Sequence, residues 1–173
     1  MGCGSGTLTE SLVEQGAVVT GSDRSAAMVE LARERLGDRA ELDVVDLSAP
    51  LPYADASFDD VVACLVLHYL EDWSAPLAEL RRVLRPGGRM VVVVNHPTAH
   101  AVVYPDADYF ATREYSEDYE FDGRTVWLTF WHRPLHAMSD AFTEAGFRIG
   151  TISEPPPAPG TPVELLPPGL EPG

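Results

Sequence analysis

The chain has 173 residues, 45% of them hydrophobic, and carries a formal net charge of -15 at pH 7, which suits one domain with a real core plus a tail rather than two ordinary domains. That charge argues against nucleic acid or an anionic membrane surface as a partner, because both would be repelled. Cys3 and Cys64 are too few for a disulfide framework, no basic stretch followed by an apolar run marks export, and the longest apolar runs, near Val61–Leu67 and Met90–Val94, fall short of the ~20 residues that span a bilayer; a reduced, cytoplasmic protein is expected.

Gly2-Cys3-Gly4-Ser5-Gly6 is a G-x-G-x-G turn of the kind that joins a strand to a helix, lets the backbone approach a ligand closely and points helix N–H groups at it. Glycines also punctuate ordinary loops, so the turn alone leaves a cofactor role and a plain loop both open. From Thr7 to Gln15 the positions Leu8, Leu12 and Val13 suit one face of a short helix that Gly16 closes. Ala17–Gly21 reads as a strand, and Asp23-Arg24-Ser25 leads into a second helix with Met28, Val29, Leu31, Ala32 and Leu36, stopped by Gly37. Ala40–Val45 is the next strand and runs into Asp46.

A loop with Pro50 and Pro52 precedes Phe58–Leu67, whose near-continuous apolar run predicts a strand buried on both faces. Ser74–Leu84 reads as a helix with Ser74 as N-cap, Pro76 in its first turn and Gly87-Gly88 beyond its end, followed by a buried strand over Arg89–Asn95. His96–Glu120 is aromatic, acidic and aperiodic, and reads as a long functional or mobile connection. Asp122-Gly123 between Tyr119–Phe121 and Arg124–Trp131 is a strong hairpin signal, with Val126, Leu128 and Phe130 on one face and Trp127 and Trp131 on the other. Pro134–Ala145 reads as a last helix, Phe147–Ile152 as a final strand, and residues 154–173, with eight of the fifteen prolines, as a polyproline-like tail to a domain over 1–153.

Strands alternating with helices predict an α/β fold, Rossmann-like, with a mostly parallel sheet, helices on both faces and an antiparallel carboxy-terminal part. The glycine turn, Asp23 and Asp46 then follow successive strands and lie along one edge of the sheet, where open α/β folds bind ligands. A carboxylate at Asp23 can accept both hydroxyls of a ribose, and one at Asp46 can accept from an adenine amino group, so an adenosine-containing cofactor is the natural occupant. An isolated Asp after a strand also serves as a turn former or an N-cap.

In combination these motifs resemble the class I S-adenosylmethionine-dependent methyltransferases, particularly the small-molecule group called type 11 methyltransferase domains. The resemblance covers residues 2–155. It rests on Gly2, Gly4 and Gly6, on Asp23, on Asp46-Leu47, on Leu51-Pro52-Tyr53 with Ser57-Phe58-Asp59, on Leu65–Leu70, on Leu84-Arg85-Pro86-Gly87-Gly88, and on Ala145-Gly146-Phe147. It implies S-adenosylmethionine as cofactor and S-adenosylhomocysteine as product, with Gly2, Gly4, Gly6, Asp23, Arg24, Met28, Asp46, Leu47 and Leu65 as cofactor residues. It also implies a small-molecule methyl acceptor. His68, placed after the strand on the ligand edge, is the candidate base, against the alternative of a structural or pocket-lining histidine. No metal is implied; His96 and His100 with Asp106 and Asp108 lie in an irregular loop. The tyrosines and acids between Tyr104 and Arg124 suggest either a solvated loop or a wall for an aromatic or cationic substrate.

Family members carry a strand before the glycine loop, ending in an acid, and a helical region over the pocket; neither precedes Gly2 here. A truncated or mis-started sequence is therefore expected; the alternative is a sheet closed by shifted strands or by self-association that borrows a strand from another chain. The alternative to an enzyme is a non-catalytic relative or fragment that binds cofactor or a partner.

Overall fold

A computed structural model describes residues 1–121 and 123–162. Five α-helices and six strands alternate along it: α1 (Thr7–Glu14), β1 (Thr20–Asp23), α2 (Ala26–Leu36), β2 (Glu41–Val44), β3 (Phe58–Cys64), α3 (Ser74–Val83), β4 (Leu84–Val93), α4 (Pro97–Val103), β5 (Arg113–Phe121), β6 (Arg124–His132) and α5 (Leu135–Glu144). The strands pair as β1 with β2 and β3 with β4, both parallel, and β5 with β6, antiparallel. The expected mixed α/β character is present, but as three two-stranded sheets instead of one mostly parallel sheet.

The two parallel sheets are joined through the first residues of the chain. Met1 N donates to Val62 O at 2.9 Å, and Cys3 N donates to Ser22 O at 2.9 Å. Gly2 then lies against the side chain of Val66, and Gly4 N reaches the Asp23 carboxylate. Residue order rises together along all three segments, so β1 and β3 point the same way on either side of residues 1–3. Below that seat, the facing edges of β1 and β3 have no strand partner among the described residues.

Local chemistry sets the helix ends. Ser25 caps α2, its hydroxyl accepting from Met28 N, and Gly37 stops the helix. Before α3 the capping differs from expectation: Ser74 is the first helical residue, and the Asp72 carboxylate accepts from both Ser74 N and Ser74 Oγ. The first strand starts three residues later than expected. Ala17 N is still tied back to Leu12 O of the α1 turn, and pairing begins only where Thr20 comes opposite Glu41.

The main core lies between β3–β4 and helices α3 and α5. It is built from Leu47, Leu51, Val61, Ala63, Leu67, Trp73, Leu77, Leu80, Val83, Leu84 and Met138, and a smaller cluster of Val29, Ala32, Leu36 and Leu42 joins α2 to β2. The expected burial of β3 and β4 on both faces does not occur. Val61 and Ala63 are buried, whereas Val91 and Val93 on the other face are about half exposed, because α3 and α5 cover one side and no helix among the described residues covers the other. The expected strand Phe147–Ile152 is also absent: Phe147 packs on Phe142, and Ile149 and Ile152 run exposed without a strand partner.

Two further departures fall between Asn95 and the hairpin. The segment read as an aperiodic loop contains α4, which starts at Pro97 with His96 Nδ1 accepting from Thr98 N, and β5 begins at Arg113. The hairpin register places Tyr115 opposite Phe130 and Asp118 opposite Trp127, so the two expected faces separate as read. Asp122 of the expected turn, and the tail from residue 163, lie outside the described residues. None of the described helices is long and apolar enough to cross a membrane.

Trp73 is the largest fully buried side chain; its Nε1 donates to Leu67 O at 2.8 Å, its ring meets Phe142, and Arg133 lies over its face. Trp73→Ala is expected to lower unfolding stability by ~3–5 kcal/mol, and Trp73→Phe by ~1–3 kcal/mol from the unpaired Leu67 carbonyl. Urea titration followed by far-UV circular dichroism measures both; a Trp73→Phe variant as stable as wild type would show that the hydrogen bond contributes nothing.

Candidate functional site

Because β1, β2 and β3 point the same way, the residues that follow them share one edge. The glycine turn enters that edge from the seat between β1 and β3. A Cβ on Gly2 would stand 2.7 Å from the Val66 Cβ, and one on Gly6 would meet Ala32 and Leu36 of α2 at 3.1 Å, while a Cβ on Gly4 would meet nothing within 4 Å. Gly2 and Gly6 thus allow close packing of the turn on its own fold, and Gly4 leaves the front of the turn open to a ligand.

Asp23 ends β1 and holds this turn in place. Its Oδ2 accepts from Gly4 N and its Oδ1 from Ser25 N, both at 2.9 Å. One carboxylate therefore fixes the glycine turn and the entry to α2, and about two of its four lone-pair sites remain for a ligand. The Asx-type role and the ligand role coexist at this residue. Asp46, after β2, forms a comparable turn: its Oδ1 accepts from Ser48 Oγ at 2.7 Å and Ser48 N at 2.9 Å. These bonds, with a lesser contribution from Arg24, hold the Asp46 carboxyl below the usual carboxylate range.

The other expected cofactor residues divide. Met28 is 41% exposed on the first turn of α2, and Arg24 is exposed beside it. Leu47 is buried in the main core, so only its backbone can face a ligand. Leu65 follows β3 with φ +52 and its side chain 52% exposed, a conformation that a non-glycine residue adopts at a cost of ~1–3 kcal/mol. Its N–H donates to Val93 O at 2.8 Å, which anchors the strained residue at the sheet edge.

Past Leu65 the chain turns through Leu67–Tyr69, and here the edge meets the β5–β6 hairpin. Phe130, 3% exposed, lies 5.1 Å from the Tyr69 ring, 5.2 Å from His68 and 5.5 Å from Tyr115 between ring centroids. Tyr69 is partly exposed; burial chiefly, and then the Asp23 charge, raise its phenol above the ordinary value, so it stands within electrostatic reach of the cofactor side. On the same hairpin face Tyr119 donates to Glu117 Oε2 at 2.8 Å, and burial first, then that bond, push its phenol up to about 12. Asn95 bridges the two parts: its side-chain amide approaches Tyr115 OH at 3.4 Å, and its backbone N–H donates to His68 Nδ1 at 3.4 Å.

That last contact bears on His68. The ring is 4% exposed, and burial pushes it down to about 4, so it is neutral at pH 7. With Nδ1 accepting from Asn95, the ring proton sits on Nε2. In this state His68 offers a donor, and it would take up a proton at Nε2 only after a change of tautomer.

Sequence reasoning placed Tyr69 in the Leu65–Leu70 stretch, Tyr115 among the tyrosines of a suggested wall and Phe130 on one hairpin face, but it did not relate them to one another or to Asn95, because that relation depends on the hairpin folding back over the edge. His96 pairs with Glu154 through Nε2 and caps α4, away from His100. Among the described residues no group of three or more His, Cys, Asp or Glu side chains is placed to hold a metal ion. A cavity of about 620 Å³ bordered by Val18, Val19, Arg33 and Glu41 lies at the amino-terminal ends of β1 and β2, the opposite end from Asp23 and Asp46.

Comparison with known proteins identifies the family. A family model described as a methyltransferase domain, type 11, matches residues 1–92. A ubiquinone/menaquinone biosynthesis C-methyltransferase of Desulfotalea psychrophila is 39% identical over 95 residues, 54% of this chain and 38% of that protein. An O-methyltransferase of Penicillium expansum is 35% identical over 165 residues, 89% of this chain and 52% of that protein. The chain thus spans about half or less of these relatives' own lengths. Among solved structures, an S-adenosylmethionine-dependent methyltransferase of Mesorhizobium loti superposes with a TM-score of 0.69 at 26% identity, covering 87% of this chain and 73% of that one. A Listeria monocytogenes structure at 23% identity has the same fold, with a TM-score of 0.74 over 92% of this chain and 77% of that one. With a glycine turn gripped by Asp23, a second acid turn at Asp46 and a family match over more than half its length, the chain belongs to the type 11 methyltransferase domains of the class I S-adenosylmethionine-dependent methyltransferases.

Proposed function

We propose that this chain binds S-adenosylmethionine along the edge formed by Gly4, Asp23, Asp46 and Leu65 and transfers its methyl group to a small-molecule acceptor beside Tyr69, leaving S-adenosylhomocysteine. The observation that carries the reading is the arrangement around Asp23: an open turn at Gly4, a carboxylate with lone pairs to spare, and the Tyr69 ring near it on the hairpin side. The residues fit the adenosine half of the donor. The free sites of Asp23 accept the ribose hydroxyls, the unengaged oxygen of Asp46 accepts from the adenine amino group, the Leu47 backbone faces the base, and Met28 and Leu65 flank it. Arg24 stays beside Asp46. Gly2 and Gly6 hold the turn against Val66 and α2.

When bound, the donor supplies an electrophilic methyl group, and the protein's task is to align the acceptor atom with it and exclude water. His68, neutral with its proton on Nε2, is placed to orient an acceptor oxygen or nitrogen by donating to it. A base is required only where the acceptor's own pKa demands one. The names of the two relatives, one for C-methylation in quinone biosynthesis and one for O-methylation, support a small organic acceptor.

A second reading concerns assembly. The unpaired edges of β1 and β3 face each other across residues 1–3, and a strand contributed by a second copy would pair with both. Light scattering over a concentration series tests it: a dimer that binds the methyl donor more tightly than the monomer supports self-association, and a monomer at every concentration with undiminished binding rejects it.

Calorimetry with S-adenosylmethionine and S-adenosylhomocysteine is expected to give saturable binding of both; a folded sample that binds neither overturns the enzyme reading, and binding without turnover of any quinol, phenol or amine acceptor favours the non-catalytic alternative. Asp23→Ala is expected to weaken binding at least tenfold, since each charge-assisted hydrogen bond contributes ~1.5–3 kcal/mol. Asp23→Asn, which can still accept from Gly4 N, separates the two roles of the residue. Affinity near wild type in Asp23→Asn would assign Asp23 to the turn alone.

A further inference from the structure

His100 is 5% exposed, and neither of its ring nitrogens has a hydrogen-bond partner. Its ring stacks on His132 of β6 at a centroid distance of 4.2 Å and an interplanar angle of 18°, and meets Tyr115 of β5 edge-on at 4.9 Å. His132 is 3% exposed, its Nε2 at 2.8 Å from Tyr109 O. A buried polar group without a partner is uncommon and costs stability in a folded protein. Two such rings in contact, one of them unpartnered, stand where α4 meets a hairpin that shares no strand pairing with either parallel sheet.

We propose that the stacked His100–His132 pair is an acid-sensitive latch that holds the β5–β6 hairpin closed beside the methyl-acceptor side of the site and releases it when an imidazole takes up a proton. The consequence for catalysis rests on the methyl-transfer reading; the latch itself does not. The groups that face His100 are Tyr104 on its own helix, Arg113 and Tyr115 on β5, and His132 on β6. The charges acting on it, His132 and Arg113, oppose a second positive charge, and no carboxylate acts on it to neutralise one. Burial chiefly, then these two neighbours, push His100 down to about 4 from the ordinary 6.5.

The direction of the pH response follows. Above pH 6.5 the imidazole is neutral whether the hairpin is closed or released, and the contact is intact. Between 6.5 and 4 the released form binds the proton preferentially, so the closed form loses ground as pH falls. At pH 5 the balance shifts toward release by about 30-fold for one such histidine. His68, packed on Phe130 and likewise pushed to about 4 by burial, acts in the same direction.

Hydrogen exchange of the full chain, read by mass spectrometry at pH 7.5 and pH 5 and corrected for intrinsic rates, tests the latch. Residues 113–132 are expected to lose at least tenfold in protection at pH 5 while residues 84–93 keep theirs. His100→Phe, which keeps a stacking ring and leaves no new unpaired group, is expected to reduce that loss and leave the share that His68 contributes. Equal protection of the hairpin at both pH values overturns the proposal, as does an unchanged acid response in His100→Phe. Should that variant not fold, the wild-type imidazole resonances decide: a His100 that titrates near 6.5 in a closed hairpin overturns the latch, and one that titrates below 5 supports it. Donor binding measured at pH 7.5 is independent of the hairpin's acid response, so failure of the methyl-transfer reading shows itself separately.

Discussion

The architecture depends on the seating of residues 1–3 between Ser22 and Val62. Two backbone hydrogen bonds and the close contact of Gly2 with Val66 bring together β1–β2 and β3–β4, which are otherwise separate two-stranded sheets. A pair of strands is marginal alone. Here each pair gains stability from the helix on its covered side, α2 for one and α3 with α5 for the other. The seat aligns the two pairs, and only that alignment puts Asp23, Asp46 and Leu65 on one edge.

The edge proposed for the cofactor is assembled by short-range chemistry, and that is why its turns were legible. Asp23 reaches Gly4 and Ser25, Asp46 reaches Ser48, and Ser25 caps α2. Each bond connects an acid or hydroxyl to a backbone N–H at a strand or helix end, where residue type alone indicates the geometry. The sequence could not indicate what covers a strand. An unbroken run of β-branched residues at Val91–Val94 suits a strand buried on both faces, yet burial requires a partner layer, and Val91 and Val93 lack one among the described residues. Phe147–Ile152 is likewise a strand-like run that, among the described residues, pairs with no strand.

The side proposed for the acceptor is assembled by long-range aromatic packing, and its contacts were largely illegible. His68 follows β3 in a position that suggests proton transfer. Its state is set by Asn95, 27 residues on, and by Phe130, 62 residues on, which bury the ring and occupy Nδ1. Likewise, α4 was hidden because only His96 and Pro97 mark its start and its seven residues are too short a run to show a helical period. The histidines at 100 and 132 are unremarkable in the chain and distinctive only where they stack.

These two modes of construction differ in what disturbs them. The carboxylate turn at Asp46 rests on bonds from Ser48 that hold its carboxyl below the usual carboxylate range. The hairpin packs on His100 and His68, both kept neutral at pH 7 by burial, so a fall in pH that leaves the Asp46 turn intact weakens the attachment of the hairpin. The proposed donor and acceptor sides, with Tyr69 at their boundary, would therefore separate in their response to acid. Phe130, in contact with His68, Tyr69 and Tyr115 together, is the residue through which release of the hairpin would reach the boundary, since its departure exposes the His68 ring and frees Tyr69 on the side away from Asp23.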